Sequence, residues 1–491
     1  MTLGDLVARL PGAVLTGDSR LLVSEVTHDS RRSGPGALFV AIRGFAADGN
    51  SFVGAARKKG AVAVCSEQPP APDTPWVQVA DAREALAVFS AAVLGNPALS
   101  LALVGVTGTN GKTTTTYLID AALRAAGETV GLVGTVEYRI GTRLLEAVRT
   151  TPESSDLQAL FRQMVDAGCR HAVLEVSSHS LALKRVHGCP FKVAVFTNLT
   201  RDHLDFHGDM DAYFAAKRLL FDTLLREDGH AIVNRDDDRA DQVLRACKGR
   251  AWTFSLSQPA DLSVEELTLS LDGTRARVRT PVGPLELRSP LIGRFNVQNL
   301  LAALGAGLAL GIPEETLLRG LASVKGVPGR LERVVAGQEF TVIVDYAHTD
   351  DALKNLLETV RELRPHRLIT VFGCGGDRDR TKRPLMGAVA ARLSDVVILT
   401  SDNPRSEPPE AILEEIRRGI PPDRARDSHV IVDRREAIAK ALEMGREGVV
   451  VVIAGKGHET YQEVRDRTVP FDDRQVARDI LHRLAAPNGK R

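Results

Sequence analysis

The sequence predicts an α/β protein of three domains: a small α/β N-terminal domain, a central doubly wound parallel sheet built around a P-loop, and a Rossmann-like C-terminal domain. Three observations carry this. A chain of 491 residues corresponds to about three domains of ordinary size. Apolar runs of strand length alternate with helical stretches along the whole chain, the pattern of parallel sheets wrapped by helices. The stretch LALVGVTGTNGKTTTT, residues 101–116, joins such a strand to such a helix through glycines. The predicted boundaries are 1–98, 99–329 and 330–491.

Residues 1–98 alternate short apolar strands (37–42, 61–65, 76–79) with a helical pattern over 82–94, and Gly95-Asn96-Pro97 marks the boundary better than the proline-rich 69–75. His28-Asp29-Ser30-Arg31 lies on a turn, with Gly44 and Asp48-Gly49 in the next loop. Hydroxyl, guanidinium and glycine backbone at strand ends suit a nucleotide-sugar diphosphate; turn residues joined by a salt bridge are the other reading.

The stretch 101–116 reads as a phosphate cradle. The buried strand 101–106 breaks at Gly108 and Gly111, and a helix opens at Thr113. Glycines let backbone N–H groups approach oxyanions, the helix N-terminus adds partial positive charge, Lys112 supplies a mobile cation, and the Thr113 or Thr114 hydroxyl can ligate Mg²⁺. A standard G-x-x-x-x-G-K-[ST] loop would place glycine at 106, where this chain has Val106.

Strands 130–133, 171–176 and 193–197 follow, and polar clusters sit just past strand ends: Thr150-Thr151-Pro152-Glu153, Glu175 to His179, and Asn198 to Asp205. Three clusters at one rim read as one site. Glu175 and His203 offer Mg²⁺ ligands there, a capping carboxylate and a loop histidine being the plainer reading. A helix over 210–225 places Lys217 with Tyr213 and Leu220 on an apolar face, where an unpartnered ammonium is expensive and snorkelling is the common outcome. Gly293 to Asn299 precedes a helix predicted over 300–310, with Asn296 and Asn299 on one face to read an adenine edge or cap the helix.

The third domain repeats the βα alternation with strands 341–344, 368–372, 396–400 and 449–454. Glycine-rich GCGGDRD (373–379) lacks both the G-x-G-x-x-G spacing and a GK[ST]. It reads instead as part of a zwitterion pocket, where Arg378 and Arg405 grip carboxylates and Glu459 accepts an ammonium.

The formal net charge of +1 gives no nucleic-acid or membrane surface, so small-molecule partners are expected. The five cysteines are scattered without metal spacing and read as reduced thiols of a cytoplasmic protein. No run has the length of a membrane span. No repeat is evident, and the only low-complexity stretch is a short polar tail, 487–491.

TGTNGKTTT, TTPES, EVSSH, NLTRDHLDFHG, the lysine of YFAAKRLLF, GRFNVQN, GRLE, DYAH, GCGGDRDR, DNPR and AGKGHE occur here in the order in which they occur in the Mur ligases, and the chain resembles that family from residue 28 to 459. The resemblance implies an ATP-dependent ligase acting on UDP-MurNAc-L-Ala-D-Glu. By similarity His28, Ser30, Phe45, Ala46 and Ala47 hold uridine diphosphate, and Arg149, Thr150, Thr151, Ser177 and Arg185 the muramoyl dipeptide. Gly108, Thr109, Asn110, Gly111, Lys112, Thr113 and Thr114 take the ATP phosphates, with Asn296, Asn299, Arg330 and Asp345 as further ATP contacts. Thr113, Glu175, His203 and Lys217, the last as a CO₂-derived carbamate, hold Mg²⁺. Lys112, Lys217, His203 and Glu175 form the implied catalytic set.

DNPR resembles the version of the motif that goes with meso-2,6-diaminopimelate, so Arg378, Asp402, Asn403, Pro404, Arg405, Gly455 and Glu459 are the implied amino-acid pocket. L-lysine as the added residue, or a folylpolyglutamate synthetase-like ligase, are the alternatives. Leu183, Asp350 and His28 depart from the family pattern. A monomer is expected.

Overall fold

The computed structural model describes residues 1–45, 47–270 and 272–485. Ala46 and the polar tail 487–491 lie outside the described residues. The chain divides into two compact units, the first formed by Met1–Leu199, Asp209–Ser263 and Leu300–Leu321, the second by Thr200–Gly208, Val264–Asn299 and the described residues from Ala322 onward.

In the first unit, β1 (Val14–Thr16), β2 (Glu25–Thr27), β3 (Ala37–Val40), β4 (Ala63–Ser66) and β5 (Trp76–Gln78) form a sheet of order β1-β5-β4-β3-β2. All its pairs are parallel except β1 with β5. Helix Ala82–Val93 starts where Asp81 accepts bonds from the N–H groups of Arg83 and Glu84, at 2.8 and 2.9 Å, and it buries Ala85, Leu86 and Phe89 against this sheet's core.

The same unit carries a second sheet. Its strands are β6 (Ala102–Thr107), β7 (Val130–Val133), β8 (Glu137–Ile140), β9 (Arg143–Glu146), β10 (His171–Glu175), β11 (Phe191–Phe196), β12 (Leu225–Asn234) and β13 (Arg250–Ser255), with β14 (Leu262–Ser270) pairing to β13 at Leu262 and Ser263. The order β13-β12-β11-β6-β10-β7 is parallel throughout, whereas β8 and β9 add antiparallel at the edge. Because β6 lies between β10 and β11, its C-terminal end opens at a topological switch point, where doubly wound sheets bind ligands. Gly105 is required in β6, since a Cβ there would come within 2.7 Å of the Phe191 ring.

Two helix predictions need correction. The helix placed over 300–310 runs from Arg294 to Ala309, because Gly293, at φ +92°, ends the preceding loop directly before it; GRFNVQN therefore forms the helix start instead of preceding it. The helix placed over 210–225 is α-helical only over Met210–Leu219 and widens into a π-turn over Leu220–Leu224 before β12 begins.

The second unit contains the antiparallel pair β15 (Gly273–Arg279) and β16 (Leu285–Ser289). Its main sheet has the order β17-β18-β22-β19-β20-β21, from β17 (Glu332–Arg333), β18 (Thr341–Asp345), β19 (Arg367–Phe372), β20 (Val396–Leu399), β21 (Ser428–Val430) and β22 (Val449–Ala454). Only the β17–β18 pair is antiparallel. The hairpin β23 (Tyr461–Val464) and β24 (Arg467–Pro470) follows, then helix Asp473–Ala485.

Two arginines are buried in this unit, each bound to at least one carboxylate. Arg434 forks onto Asp473 through Nε and Nη2, both at 2.7 Å, and Nη2 also donates to the Ala454 carbonyl at 3.0 Å. Arg383 has no exposed side-chain surface and binds Glu407 at 2.8 and 2.9 Å and Glu415 at 2.8 Å. The Arg383 guanidinium holds the Glu407 carboxyl down at about 2. A carboxyl depressed in the folded state stabilises above its unfolded value, and that contribution is lost as pH falls through the folded one. Glu407→Gln, which removes one of the two carboxylates bound to a buried cation and leaves it Glu415, should cost about 1.5 to 3 kcal/mol at neutral pH. Its urea midpoint should also fall less steeply than the wild type's between pH 4.5 and 2.

Candidate active site

The loop between β6 and helix Lys112–Ala125 folds against the end of β11. Gly108 has φ +150°, and a Cβ on it would sit 1.9 Å from Thr197 Oγ1. Gly111 is left-handed at φ +86° and is the residue from which the helix starts. Asn198 fastens the loop: its carbonyl accepts from Thr109 N–H at 2.8 Å and its Oδ1 from Asn110 N–H at 2.9 Å. Thr197 Oγ1 donates to the Asn110 carbonyl at 2.6 Å, and Thr109 Oγ1 meets the Tyr213 hydroxyl at 3.1 Å. Lys112 Nζ donates to the Gly108 and Thr109 carbonyls at 2.9 and 2.7 Å.

Lys217, only 1 % exposed, reaches the same Gly108 carbonyl at 2.7 Å and lies 4.6 Å from the centre of the Tyr213 ring. The lysine expected on an apolar face does not snorkel; it is buried with its ammonium directed at the loop.

Glu175 ends β10 with 1 % exposure. Its carboxylate accepts from Thr113 Oγ1 at 3.1 Å, Thr135 N–H at 2.8 Å and Thr135 Oγ1 at 3.0 Å, while Thr135 and Thr150 hydroxyls are 3.0 Å apart. A buried carboxylate beside the first hydroxyl of a phosphate-loop helix is a hard-oxygen donor pair, the chemistry Mg²⁺ takes. Thr114, the other hydroxyl considered, is also buried. His203 belongs to the second unit, where it is left-handed at φ +55° with Nε2 3.4 Å from Asp202. Among the described residues no cluster of three or more His, Cys, Asp or Glu side chains has an arrangement able to hold a metal.

Thr151 Oγ1 donates to the Glu175 carbonyl at 2.7 Å and accepts from Ser177 N–H at 3.3 Å. Arg185 is buried, donates to the Thr151 carbonyl at 3.1 Å and pairs with Glu153 at 2.9 Å. Arg83 meets the other Glu153 oxygen at 3.3 Å. Arg185 Nε is buried without a partner among the described residues, and burial lowers the pKa of this guanidinium. Arg149 is exposed.

His28, one of the departures, hydrogen-bonds Ser155 at 3.1 Å. Asp29 and Arg31 form the salt-bridged turn weighed above, at 2.8 Å, and Arg31 holds the Asp29 carboxyl near 2. Ser30 is half-buried beside them, Phe45 is 80 % exposed, and the Ala47 carbonyl accepts from Gly44 N–H at 2.9 Å.

In the second unit, Asn296 donates to the Ile292 carbonyl at 2.9 Å and accepts from Asn299 Nδ2 at 3.1 Å, so the two amides do share a face. The Asp345 carboxylate accepts from Leu331 N–H at 2.7 Å and Ala347 N–H at 2.8 Å; burial raises its pKa, opposed by Arg330, whose guanidinium lies 4.7 Å from the centre of the Tyr346 ring. Asp350 pairs with Arg201 at 3.1 Å, which gives that departure a structural use.

The residues expected to form a zwitterion pocket are partly linked to one another. Asn403 Nδ2 donates to Glu459 at 2.9 Å, and the fully buried Lys456 bridges Asn403 Oδ1 and Glu459 at 3.0 and 2.8 Å. Asp402 Oδ2 is buried without a partner among the described residues, and a Cβ on Gly455 (φ +112°) would fall 2.5 Å from it. Arg405 donates to the Gly376 carbonyl at 2.9 Å and pairs with Glu463 at 2.7 Å, whereas Arg378 is exposed and donates to its neighbour's carbonyl at 3.1 Å. The Pro404 carbonyl closes on Gly376, where a Cβ would be 1.9 Å away. Sequence reasoning assigned no role to Thr135, Arg83, Lys456 or Glu463, and it placed Asn198 only within a polar cluster at the rim. Of the first four only Lys456, in GKGHE, carried a local signal.

Doubly wound sheets with a glycine loop, two lysines on one loop carbonyl and an acid at the neighbouring strand end define a P-loop protein built to bind a nucleoside triphosphate. The chain belongs to the Mur ligase family: the family's catalytic domain matches residues 22–94, the Mur ligase middle domain 106–307, and the glutamate ligase domain 329–457. A relative from Solibacter usitatus is 49 % identical over 98 % of both chains, and one from Geobacillus thermodenitrificans 46 % identical over 97 % of this chain and 99 % of its own. Each is named UDP-N-acetylmuramoyl-L-alanyl-D-glutamate--2,6-diaminopimelate ligase. A solved structure of a ligase of that name, 34 % identical, covers 99 % of this chain and 100 % of its own with a TM-score of 0.72. The three-domain α/β architecture is that of the family.

Gly134 tests the Glu175 geometry, because a Cβ there would lie 2.5 Å from Glu175 Oε1. Gly134→Ala should lower ligase turnover by about 10- to 100-fold, the size of effect expected if the displaced carboxylate would hold or orient a metal. Thermal melting should fall by only a few degrees, from the buried hydrogen bonds of Glu175 that are strained.

Proposed function

We propose that the chain is an ATP-dependent amide ligase that joins meso-2,6-diaminopimelate to the D-glutamate of UDP-MurNAc-L-Ala-D-Glu, a step toward the peptidoglycan precursor. One observation carries the reading: relatives named for this activity are 46 to 49 % identical over nearly the whole chain. The substrates, ATP and a uridine-diphosphate sugar, place the reaction in the cytoplasm.

Residues 108–114 cradle the ATP phosphates, and Asn296, Asn299, Arg330 and Asp345 are assigned to the nucleotide. His28, Ser30, Phe45 and Ala47 are assigned to the uridine diphosphate. Thr150, Thr151, Ser177 and Arg185 take the muramoyl dipeptide; the unpartnered Arg185 Nε is a donor suited to its carboxylate. The γ-carboxylate of D-glutamate attacks the γ-phosphorus of ATP, giving an acyl phosphate and ADP. Lys112 and the loop amides face the charge that develops there. The amine of the incoming amino acid then attacks the acyl carbon, and the tetrahedral intermediate expels phosphate and leaves the amide.

Thr113 and Glu175 fit Mg²⁺ by their donor chemistry, with His203 and Lys217 as further assigned ligands; bound there, the ion would neutralise phosphate charge. CO₂ adding to the Lys217 amine yields a carbamate and a proton. The nitrogen keeps one N–H for the Gly108 carbonyl, so the observed bond survives the modification. Lys217→Ala should lose most phosphate-release activity and regain part of it with added short carboxylates. An alanine variant that is fully active without any additive would exclude the carbamate.

Arg405 and Arg378 are assigned to the amino acid's carboxylates, and Asp402, Asn403, Gly455 and Glu459 to its ammonium end. Lysine lacks the far carboxylate and would set an ammonium against Arg405, a loss of about 30-fold to several thousandfold. Phosphate release measured with each amino acid should show that preference in kcat/KM, and Arg405→Ala should collapse it. Comparable wild-type values would contradict the assignment.

A further inference from the structure

We propose that Glu463 is a positioning residue that aims Arg405 and thereby sets amino-acid selectivity, an inference resting on the reading above that Arg405 grips the far carboxylate. Arg405 is a non-glycine residue in the left-handed region, φ +51°, a conformation that persists only when its surroundings impose it. Strand β23 imposes it. Arg405 N–H donates to the Glu463 carbonyl at 3.0 Å, Arg465 N–H to the Arg405 carbonyl at 2.7 Å, Gln462 Nε2 to the Asp402 carbonyl at 2.7 Å, and Glu463 N–H to Asn403 Oδ1 at 3.1 Å.

The side chain is then fixed at two points, Nε on Glu463 Oε2 at 2.7 Å and Nη1 on the Gly376 carbonyl at 2.9 Å. Those anchors leave both Nη2 protons and one on Nη1 to receive a carboxylate. A partly exposed ion pair stabilises little by itself. Its effect here is on direction: a long side chain with several free torsions is held with its fork preset before substrate arrives.

The test compares kcat/KM for meso-diaminopimelate and L-lysine in Glu463→Ala, Glu463→Asp and Glu463→Gln, with Arg405→Ala alongside. Glutamine keeps an acceptor at the right reach without charge; aspartate keeps the charge one methylene short. If Glu463 acts by geometry, alanine and aspartate lower the selectivity about 10-fold through KM for diaminopimelate, with kcat and KM for ATP within about twofold, and glutamine restores it to within about threefold. Aspartate at wild-type selectivity with glutamine impaired would make charge the cause and overturn the proposal. Wild-type selectivity in all three variants would overturn it too, provided Arg405→Ala has lost its preference. An Arg405→Ala enzyme that keeps its preference would instead remove the reading on which the proposal rests.

Discussion

The first unit depends on the absence of a side chain at position 108. Any Cβ there would collide with Thr197 Oγ1, so only glycine lets the loop close on the end of β11. Closure presents one carbonyl to two ammonium groups from two different helices, Lys112 and Lys217. Burying an ammonium costs several kcal/mol unless it is hydrogen-bonded. The Gly108 carbonyl therefore supports the burial of Lys217 as well as the loop's own lysine, and a shift of the loop would disturb both.

Much of this was legible in the sequence because its causes are local. A strand, two glycines and a helix start within 16 residues announce a phosphate loop, and a lysine among apolar neighbours announces an anomaly. The central parallel strands of both doubly wound sheets were visible as buried apolar runs, β22 reading VVVVIA, whereas the parallel strands β12, β13 and β21, with exposed or polar positions, were not. The antiparallel pairs β8–β9 and β15–β16 were not visible either, being half exposed. The onset of helix Arg294–Ala309 was misplaced because the stopping residue, Gly293, was read as motif and not as punctuation.

What stayed hidden is set by distance along the chain. Glu153 is shared by Arg83 and Arg185, 70 residues before it and 32 after, and nothing local marks any of the three as a group. The Arg201–Asp350 pair spans 149 positions. A departure from a family pattern thus acquires its meaning from a partner that only folding supplies. The surroundings of Arg405 are similar: the arginine was readable from DNPR, but the hairpin that holds it was not.

The Arg434–Asp473 fork has a consequence for biosynthesis. Arg434 lies at the start of one helix and bonds the last carbonyl of β22, while its counter-charge arrives 39 residues later on another helix. As the chain emerges from the ribosome, a sheet that assembled around Arg434 before Asp473 appeared would enclose the cation without the carboxylate that forks onto it. Closure of this unit is therefore favoured late, once Asp473 has cleared the exit tunnel.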